Sequence, residues 1–217
     1  MPLTVWKDKK ERAQLLAACG GDDNDLVSSK PKVYLLHLMN DEVYTGKGTN
    51  MNTRWVSHVT ADGSCRTTRN SQPKNIILVA TGFETVGEAL SCESAIKHMP
   101  LDSMIVEDDA IKKAAKAACE RAEIPKTKVF NVYRTLSRNQ HTKTSQPICH
   151  KRKYTIHFLD PRYEPVVDDK NTPIMLPNVT QRRATPEEIA CITHLTATEY
   201  KRYTNKRKDK SRDAVVV

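Results

Sequence analysis

Five side chains stand at intervals that could assemble a reaction centre: Tyr34, Tyr44 ten residues later, Arg54 ten after that, His58 four further on, and Glu93. Their types are complementary. An arginine presents a rigid fork of donors to an anion, and a histidine exchanges protons near neutrality. A phenol can do so when a cation lies beside it, and a carboxylate binds hard cations. Each residue also has a plainer reading. Strand tyrosines are common core partners, Arg54 and His58 can form a solvated helix face, and Glu93 can pair with Lys97 at i, i+4. Glu93 nevertheless falls on an apolar stripe, three residues after Leu90 and three before Ile96, an odd place for a carboxylate.

The elements that must hold these residues follow from pattern. "VYLLHL" and "EVYTG", separated by the turn residues "MND", predict a hairpin that Gly46 closes. Asn50 caps a predicted helix over 51–59, which places Arg54 and His58 on one face. After a polar loop, "NIILVATG" reads as a third strand, and "FETVGEALSCESAIKHM" has apolar residues at helical spacing. A short amphipathic helix is expected in the first 18 residues, ahead of a Gly/Asp/Ser linker, and another helix over about 108–122. Beyond Pro125, "KTKVFNVYRTL" and "KRKYTIHFLD" look like strands, 161–178 looks irregular, and two capped helices, 185–194 and 197–208, finish the chain.

Charge divides the molecule. Residues 1–125 carry 16 Lys+Arg against 17 Asp+Glu, and residues 126–217 carry 19 against 9, so the net +9 is a C-terminal property. Such a block is a footprint for a phosphate backbone, and less often for an anionic membrane or a plain solvated tail. "KRKYTIH" and "YKRYTNKRKDKSR" interleave bases with aromatics, as nucleic-acid surfaces do, which singles out Lys151, Arg152, Lys153, Lys201, Arg202, Lys206, Arg207 and Lys208. The second run also suits a nuclear import signal, and the terminal helix pair suits either a DNA-gripping helix-turn-helix or a satellite hairpin on the core. No signal-peptide-like start or membrane-length apolar run occurs, so an intracellular protein is expected, with no membrane partner. The six cysteines are scattered with no C-x-x-C, which argues for reduced thiols and against zinc.

"KVYLLHLMNDEVYTGKGTNMNTRWVSH" resembles the opening of the GIY-YIG nuclease domain, with Lys32-Val33-Tyr34 as the GIY element and Tyr44-Thr45-Gly46 as the YIG element. The resemblance covers about residues 32–100. The layout of residues 62–100 is similar to the catalytic subunit of the Slx-type branched-DNA endonucleases, whose C-terminal zinc-binding RING-like module has no counterpart here. Lys32, Val33 and Thr45 depart from the motif at scaffold positions.

The resemblance implies Tyr34, Tyr44, Arg54, His58 and Glu93 as catalytic residues, with Gly46, Lys47 and Asn131 in support and Arg66 and Arg69 on the DNA. Glu93 would hold one divalent ion, Mg²⁺ or Mn²⁺, and Arg54 would bind the phosphate. Tyr34 or Tyr44 would be the base, Tyr34 preferred, and His58 would assist proton transfer. The expected fold is α/β (α+β): a small three-stranded antiparallel sheet flanked by helices over 32–125, after an extension (1–31) and before a basic region (126–217). The expected function is metal-dependent cleavage of branched or flap DNA. The alternatives are a sequence-directed homing or restriction-type nuclease and an inactive DNA-binding module. A protein scaffold is compatible with the sequence but not indicated by it. The expected setting is the nucleus of a eukaryotic host, or a virus or mobile element.

Overall fold

The computed structural model describes residues 5–6, 9–61, 66–98, 124–137, 152–163, 176 and 178–213. At the centre lies strand β2 (Lys32–Leu38), in which every residue is buried; it follows the two-residue strand β1 (Val5–Trp6) in the chain. Alternate side chains leave a strand on opposite faces, so a strand buried along its whole length suits a sheet covered on both sides. Val33 and Leu35 enter one core with Leu78, Ala80, Cys92 and Ile96. Tyr34, Leu36 and Leu38 enter another with Trp55, Val59, Ile192 and Leu195.

Strands β3 (Val43–Gly48) and β4 (Pro73–Thr81) flank β2 in antiparallel register, which is the set of three the sequence predicts. The sheet does not end there. β5 (Tyr154–Phe158) pairs antiparallel with β4 and β6 (Val179–Arg183) pairs parallel with β5, giving five strands in the order β3-β2-β4-β5-β6. In β5 the alternation is apolar, with Tyr154, Ile156 and Phe158 wholly buried, but "VTQRR" has too little apolar content to announce a strand. Main-chain pairing along β5 makes it one. Strands from both sides of residue 125 thus share one sheet.

Helix α4 (Val86–His98) and helix α5 (Ile124–Leu136) contribute to the first core. The latter corrects the expected strand over "KTKVFNVYRTL": Val129, Val132, Tyr133 and Leu136 recur at i, i+3, i+4 and i+7, a helical stripe that the local density of β-branched and aromatic residues disguises. On the opposite face lie α2 (Met51–Thr60), α6 (Pro186–Thr193) and α7 (Ala197–Asp213), beside the short strand β7 (Leu195–Thr196) that pairs with β1. Helix α1 (Lys9–Ala18) forms near the start of the chain, and α3 (Arg66–Asn70) replaces part of the expected polar loop. The predicted helix over 108–122 lies outside the described residues.

The terminal helices carry the caps their sequences announce. Thr185 Oγ1 accepts from Glu188 N at 3.2 Å while Thr185 N donates to Glu188 at 2.8 Å, and Thr196 and Glu199 repeat the arrangement. Both helices pack on α2, with Tyr203 entering the core that holds Trp55. The last carbonyls of a helix have no partner within it. Those of α6 find theirs on α2: Asn52 donates to Ile192 O at 3.0 Å and Trp55 Nε1 to Thr193 O at 3.1 Å. The C-terminal segment thus fixes the helix that carries Arg54 and His58.

Candidate active site

Strand β3 is the edge of the sheet, and beside it α2 and α4, from opposite layers, come close enough to enclose a cleft of about 480 Å³. Tyr44, Lys47 and Gly48 line it from β3, Thr53 and Arg54 from α2, and Val86, Ala89 and Glu93 from α4. Of the five expected catalytic side chains, Tyr44, Arg54 and Glu93 line it, and Tyr34 and His58 are wholly buried behind it. Tyr34 stands opposite Gly46 in the β2/β3 register, and its ring turns toward α2. A Cβ at Gly46 would lie 2.5 Å from Tyr34 Cζ and Oη and 2.7 Å from Tyr44 Cε1, so only glycine lets both rings in. Gly48 does the same for Arg54, whose Cγ would be 2.6 Å from an added Cβ.

The hydroxyl of Tyr34 links the group. Arg54 Nε donates to it at 3.3 Å, and it lies 2.7 Å from His58 Nε2; His58 Nδ1 in turn lies 2.9 Å from Thr68 Oγ1. Arginine can only donate, so a consistent direction runs from Arg54 to the Tyr34 oxygen, from the Tyr34 O–H to Nε2, and from Nδ1–H to Thr68. His58 is wholly buried, and burial, helped by the Arg54 charge, lowers its pKa to about 4. It is therefore a neutral imidazole at pH 7, able to accept the phenolic proton. Tyr44 packs edge-on against His58 with centroids 5.1 Å apart.

Glu93 reaches the cleft from α4, with its side chain only 10% exposed. Its register depends on the start of the helix. Thr85 Oγ1 accepts from Glu88 N at 3.1 Å, Glu88 accepts from Glu84 N at 3.1 Å, and Tyr154 on β5 donates to Glu88 at 2.7 Å. Arg152 completes this clamp through ion pairs with Glu84 and Glu88, so the charge expected to meet DNA is engaged within the fold. "TVGE" at 85–88 is a capping signal that could have been read in advance.

Among the described residues, Glu93 is the one carboxylate lining the cleft, and no group of three or more His, Cys, Asp or Glu side chains suited to a metal occurs. A single carboxylate suits a hard divalent ion that keeps most of its water and takes phosphate oxygens as further ligands. A cation already sits at this carboxylate, for the Lys97 ammonium lies 2.6 Å from Glu93 Oε1. One carboxylate, already facing a cation, is thus the donor that the described residues of the cleft would offer a hard divalent ion.

Lys47 lines the cleft as expected, and Arg66 and Arg69 are exposed on α3, flanking the buried Thr68 that orients His58. Asn131 is not on a strand. It is buried in α5, outside the cleft lining, and its Oδ1 has no hydrogen-bond partner. Lys153, Lys201 and Arg202 are exposed, Lys206, Arg207 and Lys208 fall within α7, and Lys151 lies outside the described residues. Thr68, Gly48 and Lys97 are site neighbours that the sequence reading did not single out for function. Gly48, in "TGKG", and Lys97, at i, i+4 from Glu93, had a visible signal, and Thr68 had none.

No curated protein matches the chain. Residues 30–99, which contain the Tyr34–His58 pair, Arg54 and Glu93, match the family model of the GIY-YIG catalytic domain, and over that stretch the chain is similar to it.

Proposed function

We propose that the protein is a metal-dependent DNA endonuclease that selects branched or flap DNA. The carrying observation is the hydrogen-bonded series Arg54, Tyr34, His58, Thr68 behind a cleft lined by the carboxylate of Glu93. Phosphodiester hydrolysis needs a base for water, charge relief at phosphorus and a proton for the leaving oxygen. Arg54 and Lys47 meet the phosphate. Tyr34, whose buried hydroxyl stands behind Arg54 on the cleft wall, would be the base once substrate draws Arg54 onto the phosphate: as it takes the proton of the attacking water, its own moves along the existing bond to His58. A low imidazole pKa opposes that transfer, and the negative phosphate in the cleft offsets it by favouring the imidazolium. Tyr44 forms the wall against which the phosphate is held, and Glu93 would hold the divalent ion, which supplies charge neutralisation at the phosphate when bound. Selectivity for branches is supported by the likeness of residues 62–100 to the branched-DNA enzymes, and the exposed Arg66 and Arg69 would contact a second arm.

The test is cleavage of labelled linear duplex, flap, fork and four-way junction DNAs with Mg²⁺ or Mn²⁺. Wild type is expected to cut flaps or junctions, and Glu93→Gln to lose at least about a hundredfold in rate. Equal cutting of linear duplex at fixed sites would establish the sequence-directed alternative. Salt-sensitive binding with no cutting by wild type would leave a binding module.

A further inference from the structure

The carboxylate proposed to hold the metal is already engaged by a cation of the chain. Lys97, one turn after Glu93 on α4, brings its ammonium to 2.6 Å from Oε1, and the same nitrogen stands 5.5 Å from the centroid of the Tyr44 ring. The two contacts define a small cation seat, a carboxylate on one side and an aromatic face on the other, both part of the cleft wall. The partners differ in freedom: the Glu93 side chain is 10% exposed and fixed by the packing of α4, whereas that of Lys97 is 38% exposed at the end of a flexible stem.

We propose that Lys97 is a resident counter-cation of the metal-holding carboxylate, one that a divalent ion must displace from Glu93 in order to bind. This rests on the reading of Glu93 given above. An ammonium within hydrogen-bond distance of Oε1 occupies the space and the charge that the ion needs, and two like charges within a few ångströms repel each other. Displacement is feasible because the stem of Lys97 can swing toward solvent while the face of Tyr44 still attracts its charge. Lys97 therefore sets how tightly the DNA-free enzyme binds metal and keeps a buried carboxylate paired when no ion is present. It is a positioning residue for Glu93 and takes no part in bond cleavage.

The experiment is a titration of the DNA-free, full-length protein with Mn²⁺ alone, followed by loss of the free-ion paramagnetic resonance signal. Wild type, Lys97→Met, Lys97→Arg and Glu93→Gln are compared. Lys97→Met keeps the length and apolar stem of the side chain but removes the charge, and is expected to bind Mn²⁺ roughly five- to tenfold more tightly, as expected for one like charge removed from a solvated site. Lys97→Arg, which keeps the charge, stays near wild type, and Glu93→Gln loses the site. A merely structural role for Lys97 predicts the opposite sign, because loosening α4 weakens binding. If Lys97→Met binds no more tightly than wild type while Glu93→Gln abolishes binding, the counter-cation inference falls and the metal assignment stands. If Glu93→Gln binds Mn²⁺ as wild type does, or wild type binds none, the assignment of Glu93 falls and takes the inference with it.

Discussion

Two buried histidines, one beside each edge region of the sheet, show what separates the proposed proton-transfer partner from a group held by packing alone. His58 on α2 is wholly buried and His157 on β5 is 3% exposed. Burial lowers both to a pKa of about 4, with Arg54 assisting at His58, while at His157 Arg182 assists and Glu188 opposes. By titration they are twins, but their connections differ. Both ring nitrogens of His58 are engaged, by Tyr34 and Thr68, and the series continues to Arg54 on the cleft wall. His157 has Thr81 Oγ1 3.0 Å from Nε2 and no hydrogen-bond partner at Nδ1, and its charged neighbours Arg182 and Glu188 are paired with each other at 2.6 Å. A perturbed pKa marks burial, and only a hydrogen-bonded route to a cleft turns it into chemistry.

Substitution separates the pair most sharply. His58→Ala is expected to slow DNA cleavage by about 100- to 10,000-fold, the usual range for a proton-transfer partner, and His157→Ala to leave the rate per folded molecule within a few-fold. Single-turnover rates on a flap substrate, normalised to the folded fraction, measure both. A large loss at His157 with none at His58 would reverse the assignment.

Stability against pH is expected to treat the two alike. Because folded pKa values of about 4 lie below the ordinary 6.5, the unfolded chain binds more protons between those limits. The stability contributed by each neutral imidazole is fully present above pH 6.5 and is lost as pH falls toward 4, in total about 3 kcal/mol per histidine. Glu188 acts lower. Burial pushes its pKa up, but Arg182, Asn24 and the Thr185 N–H pull it down to about 2, so its share is lost between pH 4.5 and 2. Urea unfolding at several pH values from 7 to 4 is expected to show the slope, and His157→Gln to remove about half of the part due to these two histidines. An unchanged slope in that variant would show that His157 is not held neutral.

The sequence revealed most where a local pattern and a chemical role coincide. The Asn50 cap, the shared face of Arg54 and His58 and the Glu93 stripe all follow from short-range spacing, and Asn50 does accept from Thr53 N, at 2.9 Å. Partners distant along the chain escaped. Thr68 meets His58 only because α3 folds back onto α2, and β6 exists only because β5 offers a free main-chain edge to a polar segment. Asn131 was misplaced for a third reason: β-branched neighbours outweighed a helical period, which put a buried helix residue on an imagined strand.

Thr68 gives the smallest effect and the finest discrimination. Its Oγ1 is 2.9 Å from His58 Nδ1 and it is wholly buried, whereas Nδ1 of His157 has no such partner. Thr68→Val replaces the hydroxyl with a methyl of similar size, so it removes what fixes the His58 tautomer while leaving the packing largely intact. With Nδ1 unpartnered, His58 comes to resemble His157 in its bonding, still buried and neutral, but free to place its proton on either nitrogen. When the proton sits on Nε2, the Tyr34 hydroxyl has lost its acceptor there. The expected cost is roughly tenfold in the single-turnover rate, equivalent to about 1.4 kcal/mol, with little change in DNA affinity. An unchanged rate would mean that burial and Tyr34 alone orient the ring, and that the second hydrogen bond is not what distinguishes the two histidines.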